Sequence, residues 1–203
     1  MPSPTPGRRP GARRCAALGL ALLVTLSACR SGTDPSASPQ RLSRGDAQAS
    51  LASQPAPTRT RIHRVHGRLS EARRKQVREQ VGEVVDGWWE AAYLGGSYPR
   101  TGFPSAFPGF TTGAEQRARA DKALLTNETQ ARRIDSVTPR HRSVALDILA
   151  TDGRARSVTA QFVLRFDTTG QRSATTTVRG RLFLVHGAGG WRVFGYDVAK
   201  GSK

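Results

Sequence analysis

Residues 143–166 read SVALDILATDGRARSVTAQFVLRF, and their alternation decides the fold. Val144, Leu146 and Ile148 alternate with Ala145 and Asp147, the period of a half-buried strand. Asp152-Gly153 then supplies the dipeptide that a two-residue hairpin turn requires. In the return strand Val158, Ala160, Phe162, Leu164 and Phe166 share one face, and Thr159, Gln161 and Arg165 take the other. Downstream, Thr168 to Gln171 turns the chain and a strand runs from about Arg172 to His186. Ala188-Gly189-Gly190 then leads into a last strand from Trp191 to about Val198. Connections this short exclude parallel crossovers, so the expected sheet is an antiparallel meander.

Upstream of the sheet the apolar period changes to that of a helix. Ser70 is a good N-cap candidate, and Val77, Val81, Val84, Trp88 and Ala92 recur at helical spacing, until Gly95-Gly96 and Pro99 stop the helix near Leu94. Ser97 to Gly113 holds Tyr98, Phe103, Phe107 and Phe110 among three prolines and reads as an ordered loop whose aromatics need a packing surface. A second helix is predicted from about Thr112 to Leu125. The fold class is therefore α+β, a long helix and a short one packed on a curved antiparallel sheet.

The first third of the chain has a different composition. Residues 1–14 carry Arg8, Arg9, Arg13 and Arg14 and no acid, and Cys15 to Ala28 is an unbroken run of apolar and small residues. Together they read as the n- and h-regions of a signal peptide, with a run short of the ~20 residues a spanning helix needs. The run ends in Leu26-Ser27-Ala28-Cys29, which resembles the lipobox of bacterial lipoproteins. That resemblance implies a diacylglyceryl group on the Cys29 thiol, cleavage just before it, and a protein exported and anchored to the outer face of the cytoplasmic membrane. Two acyl chains suffice for stable anchoring. Arg13-Arg14 is a weak hint of twin-arginine export, since the flanking residues of that motif are missing.

The expected domains are thus a signal peptide over 1–28, a lipid-anchored disordered linker over 29–65, and one α+β domain over 66–203. Pro35, Pro39, Pro55 and Pro57, scattered among Ser, Ala, Gln and Thr, give the linker too little apolar surface to order itself. A flexible chain of about 35 residues spans roughly 30–35 Å.

Charge and cysteine usage narrow the partners. The net charge is +17, and +13 without the leader, a balance that would ordinarily suggest nucleic acid. Export argues against nucleic acid and in favour of anionic lipid or acidic wall polymer. Arg far outnumbers Lys, so a GC-rich genome is the competing explanation of the charge. Cys15 and Cys29 are the only cysteines, which leaves the domain no disulfide or thiol nucleophile.

The order helix, loop, short helix and curved sheet resembles the nuclear transport factor two-like fold, a cone in which helices fill a concave sheet. The resemblance rests on Gly87-Trp88-Trp89-Glu90-Ala91-Ala92-Tyr93 and on Gly189-Gly190-Trp191-Arg192-Val193-Phe194-Gly195-Tyr196. In plan, leader included, the chain is also similar to the extracytoplasmic proteins associated with mammalian cell entry (Mce) lipid-import systems of high-GC Gram-positive bacteria. Dimers through the sheet are frequent in that fold, which makes a homodimer one expectation.

A pocket in such a cone would lie between the long helix and the concave face, where Trp88, Trp89, Tyr93 and His186 are the candidate lining. Each also has a plain reading, the aromatics as core and His186 as a hydrogen-bonded histidine at a strand end. Enzymes of this fold that isomerise or cyclise use a buried Asp with a Tyr or acid donor. Asp147 and Asp197 are the carboxylates with apolar strand neighbours, and Tyr93 or Tyr196 the candidate donors, although alternation turns Asp147 away from Val144, Leu146 and Ile148. His63, His66 and His141 make no HExxH or other metal-ligand spacing, GxSxG is missing, and Gly187 to Gly190 reads as a turn, so neither metal nor cofactor is expected. Asn127-Glu128-Thr129 matches a glycosylation sequon, which the bacterial leader makes a coincidence. The expected function is a membrane-tethered, non-enzymatic binding or scaffold protein of the cell envelope. A lipid or apolar small-molecule carrier serving an import system is the alternative, and a small isomerase or cyclase the third reading.

Overall fold

The computed structural model describes residues 56–203, so Cys29, the lipobox and most of the expected linker lie outside the described residues. The described chain is α+β, with a five-stranded curved, open, mixed sheet in the order β1-β2-β3-β4-β5. The strands are β1 (Arg59–His66), β2 (Ser136–Thr151), β3 (Arg154–Thr169), β4 (Ala174–Gly187) and β5 (Gly190–Ser202). The helices are α1 (Glu71–Trp89), continued by a π-helical turn at Glu90–Leu94, then α2 (Thr112–Ala120) and α3 (Lys122–Leu125).

Strands β2 to β5 form the antiparallel meander that the alternation predicts. Asp152 and Gly153, with φ of 53° and 67°, make the tight turn between β2 and β3, the left-handed pair that a type I′ hairpin demands. The inward faces of β2 and β3 bury Val144, Leu146, Ile148, Val158, Ala160, Phe162, Leu164 and Phe166.

Two expectations need correction. Arg59–His66 lies almost wholly within the stretch read as linker, yet it forms β1 and pairs parallel to β2, so the sheet is mixed and the folded part begins before residue 66. β1 is an edge strand with no fully buried residue, and a register slip between Ile62 and Arg64 breaks its alternation. Five of its eight residues are Arg or His, which masks what period remains. Its parallel pairing is possible because α1 to α3 and the aromatic loop intervene before β2, a crossover long enough to return the chain.

The second correction concerns α1. Ser70 caps it as predicted, its Oγ accepting from the Arg73 N–H, but Val84 is only partly buried, whereas Val85 and Trp89 are fully buried with Val81 and Trp88. The apolar stripe is wide because α1 is covered on two sides, by the sheet and by the aromatic loop. That loop buries Phe103, Phe107 and Phe110, and the Arg100 guanidinium lies 3.9 Å above the Phe103 ring. It also pairs with the free edge of β5: the Thr111 N–H donates to the Val193 carbonyl and the Val193 N–H to the Gly109 carbonyl, each at 2.9 Å. The edge that would otherwise invite another strand is thereby occupied along this segment.

Candidate functional site

The helix end that carries Trp88, Trp89 and Tyr93 is held by side chains from the loops. At the π turn, Arg100 Nη1 donates to the Ala91 and Gly95 carbonyls, and Asn127 donates its N–H to the Ala92 carbonyl and its side-chain amide to the Tyr93 carbonyl at 2.9 Å. These bonds satisfy carbonyls that a helix terminus leaves without partners. Asn127 is fully buried by this duty, so its side chain is inaccessible for modification and the sequon is structural.

Trp88, Trp89 and Tyr93 occupy the concave side of the sheet with no solvent exposure at all. Trp88 meets Phe162 edge-on at 5.4 Å between centroids and Tyr93 at 5.6 Å, and Trp89 meets Phe162 at 6.0 Å. Edge-to-face packing at these separations is favourable beyond the area it buries. The Tyr93 hydroxyl donates to the Leu124 carbonyl at 2.8 Å, and burial pushes its pKa well above the ordinary phenol range. The aromatics therefore fill the place where a ligand slot was expected. None of the clefts described below touches them.

His186 is not part of that group. It is exposed at the far end of β4 and stands edge-on to Trp191 at 5.2 Å, beside a cleft at the open end of the sheet.

The carboxylates lie on the opposite, convex face or at its margin. Asp147 accepts from His63 Nδ1 at 2.7 Å and from Gln161 Nε2 at 2.8 Å. Burial raises its pKa, but the hydrogen bonds from His63 and Gln161 and the charges of His63 and Arg64 outweigh it, leaving the carboxyl below the usual range. Asp197 is exposed and paired with Arg181 at 2.5 Å. The Tyr196 hydroxyl donates to Asp121 at 2.7 Å rather than to either strand carboxylate, and burial together with that bond pushes its pKa up to about 12. The structure thus does not bring Asp147 or Asp197 together with a tyrosine donor.

The Asp147 pair carries a pH signature. Because its folded-state pKa is depressed, the carboxylate contributes stability that is full above about pH 4 and fades as the pH falls through the folded value. Carbon-detected NMR titration should place the Asp147 midpoint below that of a free aspartate. His63→Ala should raise it, and an unmoved midpoint would show that the pair does not act in solution.

The sequence reading missed a polar cluster behind Trp89. Arg142, on β2 with a side chain only 12% exposed, bridges Asp86 at 3.0 Å and Glu90 at 2.8 Å, and its guanidinium lies 5.7 Å from the Trp89 ring. Thr58, just before β1, donates to the same Asp86 oxygen atom at 2.6 Å. One guanidinium therefore ties α1 to the sheet where β1 enters. The available signal was the pair of acids four residues apart on a helix, which repel unless a cation sits between them. Arg142→Met should cost about 1–3 kcal/mol in chemical denaturation, below the range for fully buried pairs because Asp86 and Glu90 remain partly solvated.

Comparison with known proteins gives no match. No family model, no curated protein and no solved structure aligns significantly with the chain. The functional reading rests on the residues themselves.

Proposed function

We propose that this chain is an exported lipoprotein, held through diacylglyceryl-Cys29 at the outer face of the cytoplasmic membrane, whose folded part is a non-enzymatic binding or scaffold module of the cell envelope. In this reading the domain is a nuclear transport factor two-like cone of the kind found in Mce-associated proteins. The order of α1, the aromatic loop, α2 and the curved sheet supports that finer assignment.

One observation carries the functional choice: the concave side is plugged by Trp88, Trp89 and Tyr93, while Asp147 and Asp197 lie outside it with basic partners. A carrier needs a cavity of several hundred Å3 for a drug-sized ligand, and an isomerase needs a carboxylate in an apolar pocket. The plug argues against both. Contact with another protein requires neither, and the convex face offers Leu149, Val185 and Phe194 as exposed apolar side chains, with Phe183 beside Phe194. An envelope protein, or a second copy of the chain, is the partner this face suits.

The address is tested by Cys29→Ala. The unaltered protein should fractionate with membranes and carry the mass of the diacylglyceryl group on a chain beginning at Cys29. The variant should be released or remain unprocessed, and acylated membrane retention unchanged by the substitution would overturn the reading.

A further inference from the structure

The concave side is closed at its centre but not at its open end. There the first turns of α1 face the β2–β3 and β4–β5 hairpins across a cleft of about 320 Å3. Helix α1 contributes Arg73, Gln76 and Gln80, which recur at helical spacing on one flank. From the other side come Arg154 and Arg156 at the start of β3. The β2–β3 register slips there: Leu149 pairs with Ser157 but Ala150 with Ala155, leaving Arg156 as the extra residue of a bulge. Bulges of this kind re-aim a side chain out of the ladder.

The cleft's charge is uncompensated. None of its lining residues is acidic, and among the described residues none of Arg73, Arg154 and Arg156 has a carboxylate within 4.0 Å. Asp152, two residues before Arg154, lines the adjoining groove instead. Other arginine-lined clefts include an acid, Asp197 beside Arg61 and Arg179, Glu71 beside Arg64, Arg74 and Arg78, and Asp152 beside Arg68.

Trp191 is buried against the cleft and, like Trp88 and Trp89 in the core, has an indole N–H with no acceptor, so that N–H serves as a reporter of the cleft. Leu69, Val77 and Ala155 complete the lining with apolar surface.

We propose that this cleft is an anion-binding site for a phosphate group, whether as free phosphate or as the headgroup of an anionic lipid. Three guanidinium groups and two carboxamides present more donors than a carboxylate can use, and a phosphate offers oxygens to several at once. His186, at the rim, adds another ring nitrogen to the same margin. The site is independent of the membrane anchor and of the apolar convex face, so its failure would leave the scaffold reading intact.

The test uses the full chain in neutral detergent, titrated separately with inorganic phosphate, short-chain phosphatidylglycerol and short-chain phosphatidylcholine. The readout is the Trp191 indole N–H signal in nitrogen-15 NMR, assigned by its loss in Trp191→Phe. Phosphate moving that signal saturably would identify a free anion as ligand. A response to phosphatidylglycerol alone would identify the headgroup. In either case Arg154→Gln with Arg156→Gln should weaken binding roughly tenfold or more, and Arg179→Gln, on the convex face, should change it by less than about twofold. The proposal is overturned if the signal follows none of the titrants, follows phosphatidylcholine equally, or responds identically in the double variant while its spectrum remains that of a folded protein.

Discussion

Trp88→Ala should lower the stability of the folded part by about 3–5 kcal/mol, enough to leave a domain of ordinary stability partly unfolded at growth temperature. Trp88 has no exposed surface and touches aromatic rings from three segments: Tyr93 on the π turn, Phe110 in the loop and Phe162 on β3. Rings held from three directions cannot collapse onto the space left behind, so the cavity cost adds to the lost transfer energy. Urea denaturation followed by far-ultraviolet circular dichroism would measure the loss. Trp88→Phe should recover much of it, because the remaining ring keeps edge-to-face contacts. A loss below about 1 kcal/mol would mean that the concave side is not packed as described.

Gly180→Ala is the second large effect, and it acts through the backbone. Gly180 lies in mid-strand on β4 with φ of +154°, and an added Cβ would stand 2.0 Å from the Asp197 carbonyl oxygen and 2.9 Å from the Val198 Cα. Neither neighbour is a side chain that can swing aside, so β4 and β5 must separate locally. Strained dihedrals cost about 1–3 kcal/mol each, and the clash adds to that, so a total of at least about 3 kcal/mol is expected. Hydrogen exchange should show the amides of β5 around Val198 losing protection before those of β2 and β3. Gly201→Ala serves as the control, since its Cβ meets open space, and it should cost less than about 0.5 kcal/mol. Similar losses for the two variants would refute the close approach at Gly180.

The meander was legible because residues 143–166 alternate cleanly and Asp152-Gly153 forces the turn. Helix α1 was legible from Ser70 and the apolar spacing, but its stripe was read too narrow, without the buried Val85 beside the partly buried Val84. A stripe wide enough to bury Val85 and Trp89 looks ambiguous until both covering surfaces are known. β1 was not legible, because a half-buried edge strand with a register slip and five basic residues lacks both period and apolar content.

The candidate site was legible in part. Trp88, Trp89 and Tyr93 were identified as a group, and the structure places them together as packed core rather than as a slot. His186 was grouped with them as pocket lining, yet it sits exposed at the strand's end where the core has run out. Arg73, Arg154 and Arg156 come from segments about eighty residues apart in the chain, and only the pairing of the sheet against α1 sets them around one cleft. Arg142 is of the same kind, a residue unremarkable in sequence whose place beside Asp86, Glu90 and Trp89 is created by the tertiary contact.

Native mass spectrometry of the full lipoprotein, purified gently from its own membrane, tests most directly the claim that this is a tethered module with a filled interior. The predicted spectrum shows the chain from Cys29 with its covalent acyl groups, alone, with another protein or with an anionic phospholipid that Arg154→Gln with Arg156→Gln removes, and no other non-covalent apolar molecule. A bound apolar molecule that disappears when the side chains around Trp88 are enlarged would contradict it, and would make the protein a carrier.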